Sequence, residues 1–106
     1  MRTLDDFRND IDRIDEVLVR LLNERARVAC EIGELKRQLG VEVYQPEREK
    51  QVLAHVRGIA AEGPLGADAI ARLFERIIDE ARRLERRVIH GEDKPDKGSD
   101  GVNRLK

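Results

Sequence analysis

Apolar side chains recur along the first 39 residues at alternating spacings of three and four. Ten of the eleven positions in this series are apolar, and the exception is an arginine. The series is Leu4, Phe7, Ile11, Ile14, Leu18, Leu21, Arg25, Val28, Ile32, Leu35 and Leu39. The spacing predicts one long helix that buries a narrow apolar stripe against other helices. Such a helix is about 55 Å long, more than a compact domain of this length is wide, so we expect the chain to self-associate.

The remaining residues predict two shorter helices and a polar tail. Gly40 is suited to end the first helix, and Pro46 is suited to begin the second. A third helix is expected from about Ala67, after a segment with two glycines around a proline, and it carries apolar residues at spacings of three and four. Residues 91–106 have few apolar side chains, and we expect them to be a disordered tail, either a free end or the start of a linker. The fold class predicted is all-α, with three helices in a domain of residues 1–90.

Composition narrows the class of protein further. Charged residues make up 41% of the chain and aromatic residues 3%, a balance typical of charged helical surfaces and not of sandwiches or barrels. With 21 basic and 22 acidic residues, the net charge is −1, so the overall charge does not favour nucleic acid or a membrane as a partner. One cysteine excludes an internal disulfide, and two histidines offer little for a metal site, so no metal is expected. Without an apolar signal region or spanning segment, we expect a cytoplasmic protein.

Charged residues near the apolar stripe are the first candidates for function. Arg25 lies within the stripe, and because arginine does not lose its proton, an anion is expected beside it. Lys36 is eleven residues further on, nearly on the same face and about 16 Å along the axis. Arg8 is about 25 Å from Arg25 and on another face, so the two can share a small ligand only if Arg8 comes from an antiparallel second chain. Each of these residues could instead be an ordinary cation without a function, either solvated or packed at the edge of the stripe.

The shorter helices add three more candidates. Arg48 and Glu49 follow Pro46 and diverge by about 100°, so they could flank a ligand, although Glu49 could instead only complement the helix dipole. Glu85 leans toward the apolar side of the third helix. Alternatively, it is an ordinary surface glutamate at the edge of that side. The four arginines beside it are expected to form a solvated face: Arg82, Arg83, Arg86 and Arg87.

The order of these residues resembles the all-helical class of chorismate mutase. The family pattern Leu-Arg-x-x-Ile-Asp-x-Ile-Asp, continuing to Leu-Leu-x-Glu-Arg, is matched from Phe7 to Arg25. Its Gly-x-x-Lys segment is matched by Gly33 to Lys36, and its Tyr-x-Pro-x-Arg-Glu element by Tyr44 to Glu49. The third-helix core of the family is similar to residues 73–78, and the resemblance extends from about residue 4 to residue 88.

The resemblance implies an intertwined helical-bundle homodimer that rearranges chorismate to prephenate, without a cofactor, in phenylalanine and tyrosine biosynthesis. By this resemblance, Arg25 and the partner subunit's Arg8 would bind the two carboxylates of chorismate. Lys36 would contact a carboxylate and the ether oxygen of the breaking bond. Glu49 would hold the ring hydroxyl, with Arg48 orienting it and the backbone of Gln45 assisting.

Two positions depart from the commonest family pattern. Ala81 stands where some members have a serine that contacts a carboxylate, so that contact is absent. Glu85 stands where some members have a glutamine that donates a hydrogen bond to the ether oxygen. A glutamate can donate there only when protonated, and we therefore expect activity to fall as Glu85 ionises with rising pH.

Two other functions stay open on the sequence. Isochorismate-pyruvate lyase uses the same scaffold and a nearly identical dianion, although Glu49 and the connector from Gly40 to Pro46 favour the mutase. A non-catalytic helical dimerisation module is the alternative from another class, with Arg25 paired to Glu24 or Glu31 across the interface. The chain could also be one domain of a larger bifunctional enzyme.

Overall fold

A computed structural model describes residues 1–91, which form three α-helices joined by two short connectors. Helix α1 spans Leu4–Leu39, α2 spans Pro46–Ala60 and α3 spans Ala67–Ile89. No strand occurs among these 91 residues, so the prediction of an all-α chain with one very long first helix is confirmed. The predicted tail, apart from its first residue, lies outside the described residues.

The ends of the helices are set by local signals that the sequence carries. The Thr3 hydroxyl accepts from the Asp6 backbone N–H at 3.1 Å, and the Asp6 carboxylate accepts from the Thr3 N–H at 2.9 Å. This reciprocal pair is a capping box, and it begins α1. Gly40 ends α1 with a left-handed φ of 70°, and its N–H donates to the Lys36 carbonyl. Pro46 is the first residue of α2, where its missing N–H leaves no helical bond unmade.

Helix α3 lies between the other two helices in the packing. Both α1 and α2 approach it closely, whereas the backbones of α1 and α2 do not approach each other within the described chain. The buried residues of α1 are small, Ala29 and Gly33. A Cβ added at Gly33 would lie 3.0 Å from the Cα of Glu85, so this glycine sets the short distance between the helices. The face of α1 that packs within the chain is therefore not the apolar stripe.

The apolar stripe of α1 is uncovered in the single chain. All ten of its apolar residues are exposed, with 42% to 64% of each accessible to solvent. The described helices supply no partner for it, as the length of α1 predicts. None of these helices is both long enough and apolar enough to cross a membrane.

Candidate active site

A cleft lies where α1 and α2 diverge on either side of α3. Its volume is about 630 Å³, within the range of roughly 300–1,000 Å³ typical of small-molecule sites. Its walls come from the second half of α1, the first two turns of α2 and the second half of α3, with the α1–α2 connector contributing Val41, Val43 and Gln45. The cleft exists because both outer helices pack on α3 without meeting each other.

Seven of the eight predicted site residues line this cleft. They are Arg25, Lys36, Gln45, Arg48, Glu49, Ala81 and Glu85. The eighth, Arg8, does not line it. Arg8 is exposed on α1, 3.8 Å from Asp5, and about 25 Å along the helix from Arg25. One chain thus assembles every predicted site residue except Arg8, the arginine that the family resemblance assigns to a second chain.

Lys36 and Glu85 form an ion pair at the narrow contact between α1 and α3. The Lys36 Nζ lies 2.8 Å from Oε1 of Glu85 and also donates to the Val43 carbonyl at 3.0 Å. The side chains are 16% and 10% exposed, and Glu85 is the buried charged residue of the described chain. Glu85 is buried, and not at the edge of the stripe, because Gly33 lets α3 approach α1. These contacts fix the ammonium group of Lys36 before any ligand binds.

A second ion pair, between Arg82 and Glu49, joins α3 to α2 across the cleft. The Arg82 Nε lies 3.2 Å from Oε2 of Glu49, and the guanidinium lies 5.5 Å from the centre of the Tyr44 ring. The expectation that Arg82 belongs to a solvated face is therefore wrong, although its neighbour Arg83 is exposed. Arg82 follows the buried Ile78 by four residues, and this spacing places both on the inner side of α3.

Gln45 and Ala81 contribute differently from the charged residues. The Gln45 side-chain amide donates to the Glu42 carbonyl at 2.9 Å, and the Gln45 carbonyl accepts the Glu49 backbone N–H at 3.0 Å. Ala81 is half-buried and offers no polar atom of its side chain to the cleft. Gln45 therefore acts mainly on the start of α2, where it holds the turn that carries Glu49.

The charges in the cleft do not balance. Four cations and two carboxylates line it, and each carboxylate is paired, one with Lys36 and one with Arg82. Arg25 and Arg48 form no ion pair with any residue of 1–91, and the Arg25 guanidinium lies 6.0 Å from the centre of the Phe74 ring. Arg25 is half-buried and Arg48 is exposed, so the cleft carries an excess of positive charge that favours an anionic ligand.

Residues 7–86 match the family model of chorismate mutase type II. The chain belongs to this family. Every residue that lines the cleft falls inside the matched segment, and so does Arg8. Within residues 1–91, no three histidine, cysteine, aspartate or glutamate side chains are grouped so as to hold a metal ion.

Several relatives of known name share this chorismate mutase segment. The chain is 47% identical to a bifunctional chorismate mutase/prephenate dehydratase of Neisseria gonorrhoeae, over 74% of this chain and 21% of the relative. It is 35% identical to the enzyme of the same name in Aquifex aeolicus, over 83% of this chain and 25% of the relative. It is 29% identical to a chorismate mutase of Methanocaldococcus jannaschii, over 81% of this chain and 87% of the relative. The chain thus spans about a quarter or less of the two bifunctional relatives and most of the archaeal one.

Proposed function

We propose that this chain catalyses the rearrangement of chorismate to prephenate, a step toward phenylalanine and tyrosine. In this intramolecular Claisen reaction the ether C–O bond breaks while a C–C bond forms, and no atom is gained or lost. The observation that carries the proposal is the pair of uncompensated cations, Arg25 and Arg48, in a cleft of suitable size. Chorismate is a dianion, so it would bring negative charge to a cleft that has an excess of positive charge, with one of its carboxylates bound by Arg25. The family match and the names of the relatives support the same reaction.

The proposed mechanism relies on fixed charges and needs no nucleophile. Binding of the dianion by Arg25 and its neighbours holds the compact, reactive conformer, which removes much of the ordering that the reaction otherwise requires. Negative charge then grows on the ether oxygen. Lys36, already held by Glu85 and Val43, supplies a preoriented positive charge there. Lys36→Ala is expected to lower kcat more than it raises KM.

We also propose that two chains pair through their apolar stripes in an intertwined, antiparallel homodimer. The exposure of all ten stripe residues supports this, because so long an apolar surface is unusual on a monomer. In this arrangement the partner subunit's Arg8 completes each cleft and binds the second carboxylate of chorismate. Arg8 is suited to that role because it is exposed and its nearest carboxylate is 3.8 Å away.

Mixing two inactive variants tests the shared site. A heterodimer of Arg8→Ala and Arg25→Ala chains contains one cleft with both arginines intact, so co-refolding the two variants should restore about a quarter of the wild-type activity. The matched control is a mixture of Arg25→Ala and Lys36→Ala chains, in which every cleft keeps one defect and no activity should return. A mixture of the first pair that stays inactive, or a chain that is monomeric under assay conditions, refutes the dimeric site.

The reaction itself is tested with purified protein and no added metal or cofactor. We expect loss of chorismate with formation of an equal amount of prephenate. Salicylate and pyruvate formed from isochorismate would instead indicate the lyase, and no turnover of either substrate would refute the enzymatic proposal. The cytoplasmic location and the boundary of the domain near residue 90 stay predictions.

A further inference from the structure

The guanidinium group of Arg82 occupies a position between three elements of the fold. It projects from α3, its Nε lies 3.2 Å from Oε2 of Glu49 on α2, and its Cζ lies 5.5 Å from the centre of the Tyr44 ring in the connector. The Nε atom is buried, and its N–H is not aligned for a hydrogen bond with any described group. The side chains of the pair are only 27% and 22% exposed. Little solvent therefore screens the attraction between the two charges.

Glu49 uses one of its two oxygens in this contact. Oε2 faces Arg82, whereas Oε1 has no partner among residues 1–91. A glutamate without such a contact would sample several rotamers, and the other cations of the cleft would attract it. Contact with Arg82 restricts the carboxylate to orientations in which one oxygen is engaged and the other is available within the cleft.

We propose that Arg82 is a positioning residue that holds Glu49 by Oε2, so that Oε1 can accept a hydrogen bond from the ring hydroxyl of chorismate. This inference rests on the proposed function and assigns Arg82 no direct contact with the substrate. The Tyr44 ring, whose centre lies 5.5 Å from the Arg82 Cζ, is a second neighbour of the guanidinium. Through Arg82, the positions of α3 and the connector determine where the carboxylate of Glu49 lies.

The proposal predicts a specific pattern in a double-mutant cycle. Arg82→Ala should lower kcat/KM for chorismate by about tenfold or more, because a misplaced Glu49 loses the geometry that the substrate requires. Glu49→Gln removes the charge that Arg82 holds. In the Glu49→Gln background, Arg82→Ala should therefore change kcat/KM by no more than about twofold. The same cycle is measured on the affinity for prephenate, which also carries the ring hydroxyl, so that slow turnover does not conceal the coupling.

Two further variants separate positioning from general structure. Arg82→Lys keeps a positive charge near Glu49 and should recover part of the activity that Arg82→Ala loses. Arg83→Ala is the matched control, since Arg83 is the next residue of α3, is exposed and does not line the cleft. It should keep wild-type kcat/KM and the thermal midpoint should stay close to that of wild type.

The outcomes distinguish this inference from the proposed function. Wild-type protein that forms no prephenate refutes the proposed function and this inference with it. Suppose instead that the wild-type protein is active, and that Arg82→Ala lowers kcat/KM by the same factor in the wild-type and Glu49→Gln backgrounds. This result refutes the inference alone, because the effect of Arg82 then does not pass through Glu49. Equal loss of activity in Arg82→Ala and Arg83→Ala also overturns it.

Discussion

The close contact between Gly33 and α3 makes a quantitative prediction about both stability and activity. A Cβ at residue 33 would lie 3.0 Å from the Cα of Glu85, 3.2 Å from its carbonyl oxygen and 3.3 Å from its Cβ. Two of these three atoms are backbone, so no side-chain rotation relieves the contact. Gly33→Ala must therefore separate α1 from α3 by several tenths of an ångström, and it displaces Glu85 from Lys36.

The expected change in stability follows from two opposing terms. Overpacking of this kind destabilises by about 1–3 kcal/mol, whereas alanine favours a helix interior over glycine by about 1 kcal/mol. The net loss for Gly33→Ala is about 1 kcal/mol, which corresponds to a fall in Tm of about 4–8 °C for a domain of this size. Gly58→Ala is the matched control, because Gly58 is also inside a helix and nothing lies within 4 Å of its Cβ position. That variant should gain about 1 kcal/mol.

Thermal unfolding of the two variants at equal protein concentration tests the stability difference, and chorismate turnover tests the geometry. Equal concentration matters because self-association shifts Tm by mass action. We expect Gly33→Ala to unfold at a lower temperature than wild type and Gly58→Ala at a higher one, with kcat reduced only in the former. If Gly33→Ala matches Gly58→Ala in both Tm and kcat, the close approach of α3 does not position Glu85.

Three further predictions concern charge. Glu85→Ala removes the carboxylate that lies 2.8 Å from the Lys36 ammonium group and should lower kcat, because only the Val43 carbonyl then holds that group; an unchanged kcat contradicts this role. Arg25→Leu should abolish turnover, while circular dichroism should show that the helices persist. Retained turnover would instead indicate that Arg25 has only a structural role in the apolar stripe. The hydrogen bond from Arg57 at 2.8 Å, with the positive charge of Arg57, lowers the pKa of Asp68. This pair therefore stabilises the fold above the ordinary carboxyl pKa of about 4 and loses its effect as pH falls through the lowered pKa. The Tm difference between wild type and Asp68→Asn should disappear at acidic pH, and a difference that grows instead would exclude the pair as its source.

Most of the fold could be predicted because its signals are local. The capping box at Thr3, the left-handed Gly40 and the N-terminal Pro46 each act within one turn of a helix, and sequence spacing contains that information. The partner of α1 within the chain was not evident in the same way. Its buried face consists of small residues such as Ala29 and Gly33, which a search for large apolar side chains does not reveal.

The site residues that belong to a sequence motif could be predicted, whereas those whose position depends on how the helices pack could not. The resemblance supplied the seven residues that the cleft brings together. The prediction for Arg82 is wrong because one arginine among four within six residues looks the same in sequence whether it faces water or a carboxylate on another helix. Only the approach of α2 to α3 brings Glu49 within 3.2 Å of Arg82, and that approach depends on contacts far apart in the chain.

If the site is divided between one chain and its proposed partner, substrate affinity should depend on the concentration of the protein. A single chain already holds Lys36 and Glu49 in place through Glu85 and Arg82, so separation of the subunits would leave these groups in position. What separation would remove is the charge of Arg8, together with the cover over the apolar stripe. If the proposed dimer forms the site, substrate affinity should fall on dilution below the dimer dissociation constant, because the cation proposed to bind one carboxylate leaves with the partner subunit.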